Sequence, residues 1–377
     1  MIYADNAATT PLDKDAFEAM KSYWWNDFGN PSQPYSLSRS PKSALKSARE
    51  TIANCIGADP DEIYFTSCGT ESDNWVVKEI GCDVPENTPS TEIITSEIEH
   101  HAILNSCAAV ERMGCAVKYI SPSEVGEILG SALQKVISSR TRLVSVMMVN
   151  NEIGTIQPIR ELCEIAHQNG SLFHTDAVQA VGHIPINVHE LGVDFMSASA
   201  HKFNGPKGIG FLYVKKGTKI RPYMSGGAQE RGLRAGTENV PLIVGMAKAL
   251  EKNCSFMKET QNQLARVEDA FLDALRKEHL DFIRNGSARS HIPGNVSVSF
   301  RDVSGEMLLH RLDLKKIYIS TGSACDSKNT QVSHVIRAIK VPADYAQGTI
   351  RVSFGKQNTV EEAQIIGNQI ANILKAE

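Results

Sequence analysis

Between residues 60 and 215, short apolar runs ending in polar or glycine-rich segments alternate with amphipathic stretches of helical length. That alternation is the βαβ rhythm, and it predicts a mostly parallel sheet covered by helices. Candidate strands are Glu62–Thr66, Glu92–Thr95, Ala116–Ile120, Arg142–Val149, Ser171–His174, Phe195–Ser197 and Gly210–Val214, enough for seven. Ligands of open α/β sheets bind beyond the carboxyl ends of the strands, so the residues just after each run are where chemistry is sought. After a glycine- and charge-rich stretch, Ser225–Asn239, the pattern changes. A long amphipathic helix, about Pro241–Glu278, precedes strand-like Asn295–Phe300, Lys316–Ser320 and Thr349–Phe354, with helical Gly305–Leu312, Gln331–Ile339 and Val360–Lys375. The expectation is an α/β fold with a large domain over 15–257 and a smaller α+β domain over 1–14 and 258–377.

A chain of 377 residues, 42% hydrophobic, can bury a core of that size. A formal charge of -4 without a long basic run argues against nucleic acid or an anionic membrane as partner. No apolar run reaches the roughly 20 residues that span a bilayer, and Met1–Asp5 lacks signal-peptide character, so a cytoplasmic enzyme is expected. Eight scattered cysteines show neither CxxC pairs nor zinc spacing; they read as free thiols, and no metal site is expected.

Phe195–Ser197 runs into Ser199-Ala200-His201-Lys202, a lysine among small residues at a strand end. A lysine buried beside other cations sheds its charge and can form a Schiff base, although a lone lysine in a turn is more often a surface residue. One strand earlier, Leu172-Phe173-His174 delivers Asp176. A carboxylate there suits pyridoxal phosphate, whose ring nitrogen needs an acid partner; a helix N-cap is the commoner duty. The turn Cys68-Gly69-Thr70 opens a helical pattern and offers N–H groups and a hydroxyl to a phosphate, with Ser199 and His201 as further donors. His100 or His101, after the strand Glu92–Thr95, can stack on a ring and move protons, and the residues alone do not choose between them. Asn151 arrives at the same edge, while Arg351 in a strand-like run is either a carboxylate clamp or an outward-facing arginine. Cys325 lies in Thr321-Gly322-Ser323-Ala324-Cys325-Asp326-Ser327, small and polar, which reads as an exposed, mobile loop placing a nucleophilic thiol.

Together these segments, with Ala4-Asp5-Asn6-Ala7-Ala8-Thr9-Thr10-Pro11, Phe28-Gly29-Asn30-Pro31-Ser32, Asn150-Asn151-Glu152-Ile153-Gly154, Gly226-Gly227-Ala228-Gln229-Glu230-Arg231-Gly232 and Gly322-Ser323-Ala324-Cys325, resemble the cysteine desulfurases. That family is a branch of the aspartate-aminotransferase-like, class V pyridoxal-phosphate enzymes, and the resemblance runs over nearly the whole chain. It implies that Lys202 anchors the cofactor and shuttles a proton, Asp176 holds the ring nitrogen, Gln179 sits near the ring hydroxyl and His100 stacks on the ring. Gly69, Thr70, Ser199 and His201 would take the phosphate, joined by Thr237 from a second subunit of a homodimer. Asn151 and Arg351 would take the carboxylate of L-cysteine. Cys325 would carry sulfur as a persulfide to an acceptor protein, an iron–sulfur scaffold in the first instance, as in the group with a long catalytic loop, and could ligate a cluster in transit. The chain differs from the family pattern at Tyr35, Ser38 and Ala228 and ends at Leu374-Lys375-Ala376-Glu377, where relatives continue into a scaffold-docking tail. The alternatives are another class V enzyme, an aminotransferase or selenocysteine lyase, and a non-catalytic subunit of sulfur assembly.

Overall fold

In chain order the strands are β1 (Ile2–Tyr3), β2 (Ile63–Thr66), β3 (Glu92–Ser96), β4 (Ala116–Ile120), β5 (Thr141–Ser145) and β6 (Leu172–Asp176). They continue with β7 (Phe195–Ser199), β8 (Gly210–Val214), β9 (Phe282–Asn285), β10 (Asn295–Phe300), β11 (Ile317–Tyr318) and β12 (Thr349–Ser353). The structure is a computed structural model that describes residues 1–81, 91–322 and 332–376. The expected seven-stranded sheet is present, in the order β2-β8-β7-β6-β5-β3-β4. Only β8 runs against its neighbours, pairing antiparallel with both β2 and β7. The carboxyl ends of β2, β3, β5, β6 and β7 therefore share one edge, as does the start of β8. β2, β3, β5, β7 and β8 carry almost continuously buried side chains, as expected of strands covered on both faces.

Two apolar cores flank the large sheet. One packs Ile52, Ile94, Val144, Phe173 and Phe211 with helix residues such as Met246 and Leu250, and the other gathers Trp75, Ile93, Leu143 and Phe195. A separate core lies beneath the small sheet β12-β10-β9, where Val296, Val298, Ile350 and Val352 meet Phe271, Leu275, Ile366 and Ile370. The N-terminal β1 pairs in parallel with β11 and so belongs beside the C-terminal elements.

The long helix expected over Pro241–Glu278 is instead two, Val240–Ser255 and Met257–Lys277, meeting at Phe256. The first buries Ile243, Met246 and Leu250 in the large core; the second buries Leu264, Phe271 and Leu275 in the small one. A straight helix could not turn its apolar stripe toward both, so the break at Phe256 is where one core hands over to the other. The strand expected over Arg142–Val149 stops at Ser145; beyond it Val146 and Met148 still bond to β6 at His174 O and Asp176 O, and Val149 turns to bridge Ile156. The helix expected from Gln331 begins at His334, where the Ser333 hydroxyl accepts from Val335 N. β9 had no clear sequence signal: its side chains are mostly half-buried on an edge.

Candidate active site

β6 ends on Asp176, which is 5% exposed, and Oδ1 accepts the Val178 amide at 2.9 Å. This Asx turn carries the chain off the sheet; Asp176 caps no helix. Burial pushes its carboxyl above the ordinary carboxylate range, while His100 and Lys202 pull the other way. Beside it β7 runs into a single 3-10 turn, Ala200–Lys202, closed by Asn204 at φ 62. Lys202 Nζ donates to the main-chain oxygens of Ala7 at 2.6 Å and Ala8 at 3.0 Å. The N-terminal segment is laid over this turn by Thr10, whose amide and hydroxyl both donate to His201 O, and by Gln179 Nε2 on Ala7 O.

The phosphate cradle expected at Gly69 and Thr70 is the first turn of the helix Gly69–Gly81. A Cβ on Gly69 would meet Val178 Cγ2 at 2.5 Å, so only glycine leaves this turn against the cavity. Ser199 and His201 line the same space. Burial, then Lys202 and Lys207, hold His201 down at about 4, so it is neutral, with Nδ1 3.1 Å from Thr9 Oγ1.

Of the two histidines, His100 lines the cavity, while His101 packs edge-on against His334. His100 is also the N-cap of the helix His101–Glu111: Nδ1 accepts the Ala102 amide at 3.1 Å. Burial lowers its pKa, opposed by Asp176. A neutral ring whose Nδ1 accepts must carry its proton on Nε2.

Across the cavity, Arg351 on β12 is 2% exposed, so it is not an outward-facing strand residue. Nη2 donates to Asp5 Oδ1 at 2.7 Å and Nη1 to Asn151 O at 3.1 Å; Nε is buried with no partner among the described residues. A guanidinium fixed at two points with a donor left over is what a carboxylate ligand needs. Thr237 is exposed and does not line this space. Cys325 lies outside the described residues; Gly322 is the last before it, lines the cavity, and at φ 110 leaves room for Glu152, whose Oε2 would lie 2.8 Å from a Cβ.

Together Ala7, Ala8, Gly69, Thr70, His100, Asn151, Asp176, Gln179, Ser199, His201, Lys202 and Arg351 enclose about 280 Å³. The residues fit pyridoxal phosphate: a buried acid for a ring cation, a lysine for its aldehyde, and a glycine-tight helix start for its phosphate.

Behind this wall lie groups that the sequence did not announce. Asp73 lines the cavity 1% exposed, and burial together with Asp176 raises its carboxyl well above the usual range. His174, fully buried and held neutral at about 3 by burial, bridges Ser145 Oγ and Ser197 Oγ at 2.9 Å each. Glu99 takes the Ser96 hydroxyl and the Met147 amide, and burial pushes it up to about 8. Spacing was the available signal: Asp73 is one helical turn from Gly69, and His174 shares a face of β6 with Asp176.

The fold and the strand-edge lysine and acid define a class. The model of the family described as Aminotransferase class-V matches residues 2–366. Cysteine desulfurases IscS of Dictyoglomus turgidum and Methanosarcina thermophila are 47% and 45% identical, over 96% and 99% of this chain and 91% and 92% of theirs. A solved NifS-like protein superposes with a TM-score of 0.93 at 37% identity, covering the whole of both chains. The chain belongs to the class-V aminotransferase family and, within it, to the cysteine desulfurases.

Proposed function

We propose that the enzyme converts L-cysteine to L-alanine in the cytoplasm, passing the sulfur to Cys325 and then to an acceptor protein of iron–sulfur or related cofactor assembly. The observation that carries this reading is the convergence of Lys202, Asp176, His100 and Arg351 on one cavity. Pyridoxal phosphate, when bound, supplies an electron sink for the substrate. Lys202 and Asp176 would hold it at its aldehyde and ring nitrogen, with Gln179 and His100 against the ring and Gly69, Thr70, Ser199 and His201 at the phosphate. Thr237 of a second subunit would complete that phosphate site in a homodimer. The body over 15–257 would supply the cofactor site, and 1–14 with 258–377 the substrate side.

Arg351, held by Asp5 and Asn151 O, would orient the cysteine carboxylate through its spare Nε. Lys202, once released from Ala7 O and Ala8 O, would move the α-proton, and Nε2 of His100 would handle the proton of the substrate thiol. The Cys325 thiolate would attack the substrate sulfur; the S–S bond forms as the Cβ–S bond breaks, leaving a persulfide on Cys325 and alanine as product.

The test is to incubate the purified protein with cysteine alone and follow alanine, with mass spectrometry of the peptide holding Cys325. Alanine formed without a keto acid, with one added sulfur on Cys325, is expected. A requirement for a keto acid would make it an aminotransferase, and unimpaired sulfur transfer by Cys325→Ala would remove the carrier.

A further inference from the structure

The sequence singles out Asn6-Ala7-Ala8-Thr9, and the proposed reaction asks nothing of it but to release Lys202. It forms a tight turn in which the Ala8 amide bonds back to Asp5 O at 3.0 Å. Both alanines line the cofactor cavity, and among the described residues no main-chain amide takes the oxygen of either. They accept from an amine instead: Lys202 Nζ donates to Ala7 O at 2.6 Å and to Ala8 O at 3.0 Å, with Gln179 Nε2 also on Ala7 O at 2.9 Å. Carbonyl oxygens converging on one nitrogen favour its charged form.

The turn is pinned from two sides. Ser353, 2% exposed on β12, accepts the Ala7 amide on Oγ at 2.9 Å, and its main-chain oxygen takes the Asn6 amide and side chain. The Tyr3 hydroxyl lies against the turn, 2.7 Å from Thr9 O and 3.0 Å from Asp5 O. Ser353 is two residues from Arg351 on the same strand, so the alanine oxygens keep a fixed spacing from the guanidinium. An anion site and a cation site fixed in one cavity match an α-amino acid, which carries both charges.

We propose that Ala7 O and Ala8 O form a seat for one ammonium at a time, taken by Lys202 when its nitrogen is free and by the α-ammonium of cysteine when Lys202 is joined to the cofactor. Ser353 and Tyr3 are the positioning residues of that seat, and the identity of the incoming amine rests on the desulfurase reading above. A lysine nitrogen bound to an aldehyde carbon keeps at most one N–H and cannot serve both oxygens, and a buried oxygen left without a donor is costly. The substrate ammonium makes good that loss with its own hydrogens while Arg351 takes the carboxylate. The seat binds and orients the amine but takes no proton from it.

The test compares two ligands on the cofactor-loaded wild type and on Ser353→Ala, which loses the hydroxyl that holds the Ala7 amide. KM for cysteine should rise severalfold with a smaller change in kcat. By calorimetry, 3-mercaptopropionate, which keeps the thiol and carboxylate but has no amine, should bind as before. With the cofactor stripped by hydroxylamine and the fold checked by circular dichroism, trinitrobenzenesulfonate should label Lys202 severalfold faster in the variant, read by mass spectrometry, because a loosened seat leaves more of the amine neutral. Tyr3→Phe, which frees the turn from its other side, should raise KM and Lys202 labelling in the same way. Equal weakening of cysteine and 3-mercaptopropionate would show Ser353 acting through Arg351 and would overturn the proposal, as would a KM or a Lys202 labelling rate that neither variant moves. Alanine production by the wild type is read separately, so failure here leaves the desulfurase reading intact.

Discussion

The two walls of the cavity handle charge in opposite ways. The wall built on the large sheet places Asp73, Glu99, His174 and Asp176 in near-complete burial, with hydroxyls, amides and one another for company. The side built by the N-terminal segment and the small sheet pairs its charges: Arg351 with Asp5 at the cavity and, away from it, Asp13 with Lys252 and Lys356. Burial without a fixed counter-ion keeps groups neutral or holds a charge in reserve for a ligand; pairing fixes position. The first wall is tuned for chemistry and the second for geometry.

Substitutions sharpen that division, the largest effect first. Lys202→Ala should cost on the order of 10⁴-fold or more in kcat, measured as alanine formed from cysteine, because anchor and proton carrier leave together. Asp176→Asn should cost about 10²- to 10³-fold, the range for removing one electrostatic stabiliser, whereas Asp73→Asn should cost far less because burial and Asp176 already disfavour a charge on Asp73. Equal losses at the two positions would break the comparison on its chemical side. Arg351→Lys should raise KM for cysteine by about 10- to 100-fold with a smaller change in kcat, since a charged hydrogen bond is worth about 1.5–3 kcal/mol.

Two pH experiments separate the walls further. Glu99 keeps its proton up to about 8 when folded but sheds it near 4.5 when unfolded. The folded state binds the extra proton between those values, so stability falls as pH rises from about 4.5 to about 8. Glu99→Gln should flatten that decline in denaturant titrations. At Asp13 burial pushes upward, but Lys356 and Lys252 outweigh it and hold the carboxyl near about 2. Its contribution is present above about 4 and is lost as pH falls toward 2. With both lysines about one-third exposed, Asp13→Asn should cost only about 1 kcal/mol at neutral pH.

Much of this was legible in the sequence, because parallel strands announce themselves as apolar runs and their carboxyl ends point to the site. That rule points to Lys202, Asp176, Gly69 and Thr70 as candidates, each of which also has a plainer reading taken singly. The partner sets did not, because they join distant segments. Nothing near Lys202 says that Ala7 and Ala8 offer it carbonyls, and nothing near Arg351 names Asp5. Asp73 and His174 were visible in spacing yet silent in residue type, since a buried Asp and a surface Asp are the same letter. The break at Phe256 was hidden for a related reason: each half of the run is a good amphipathic helix, and only the presence of two cores separates them.

In the proposed reaction His100 superimposes two duties on one ring. Its Nδ1 is spent on the first turn of its own helix, so turning the ring over would undo the helix start. Only one nitrogen can face the cavity, and every proton the ring trades must pass through that single port. A scan that deletes the side chain would therefore mix a frayed helix with a lost proton carrier and overstate the chemistry. Asparagine, which can still cap but cannot titrate, is the substitution that reads one duty at a time.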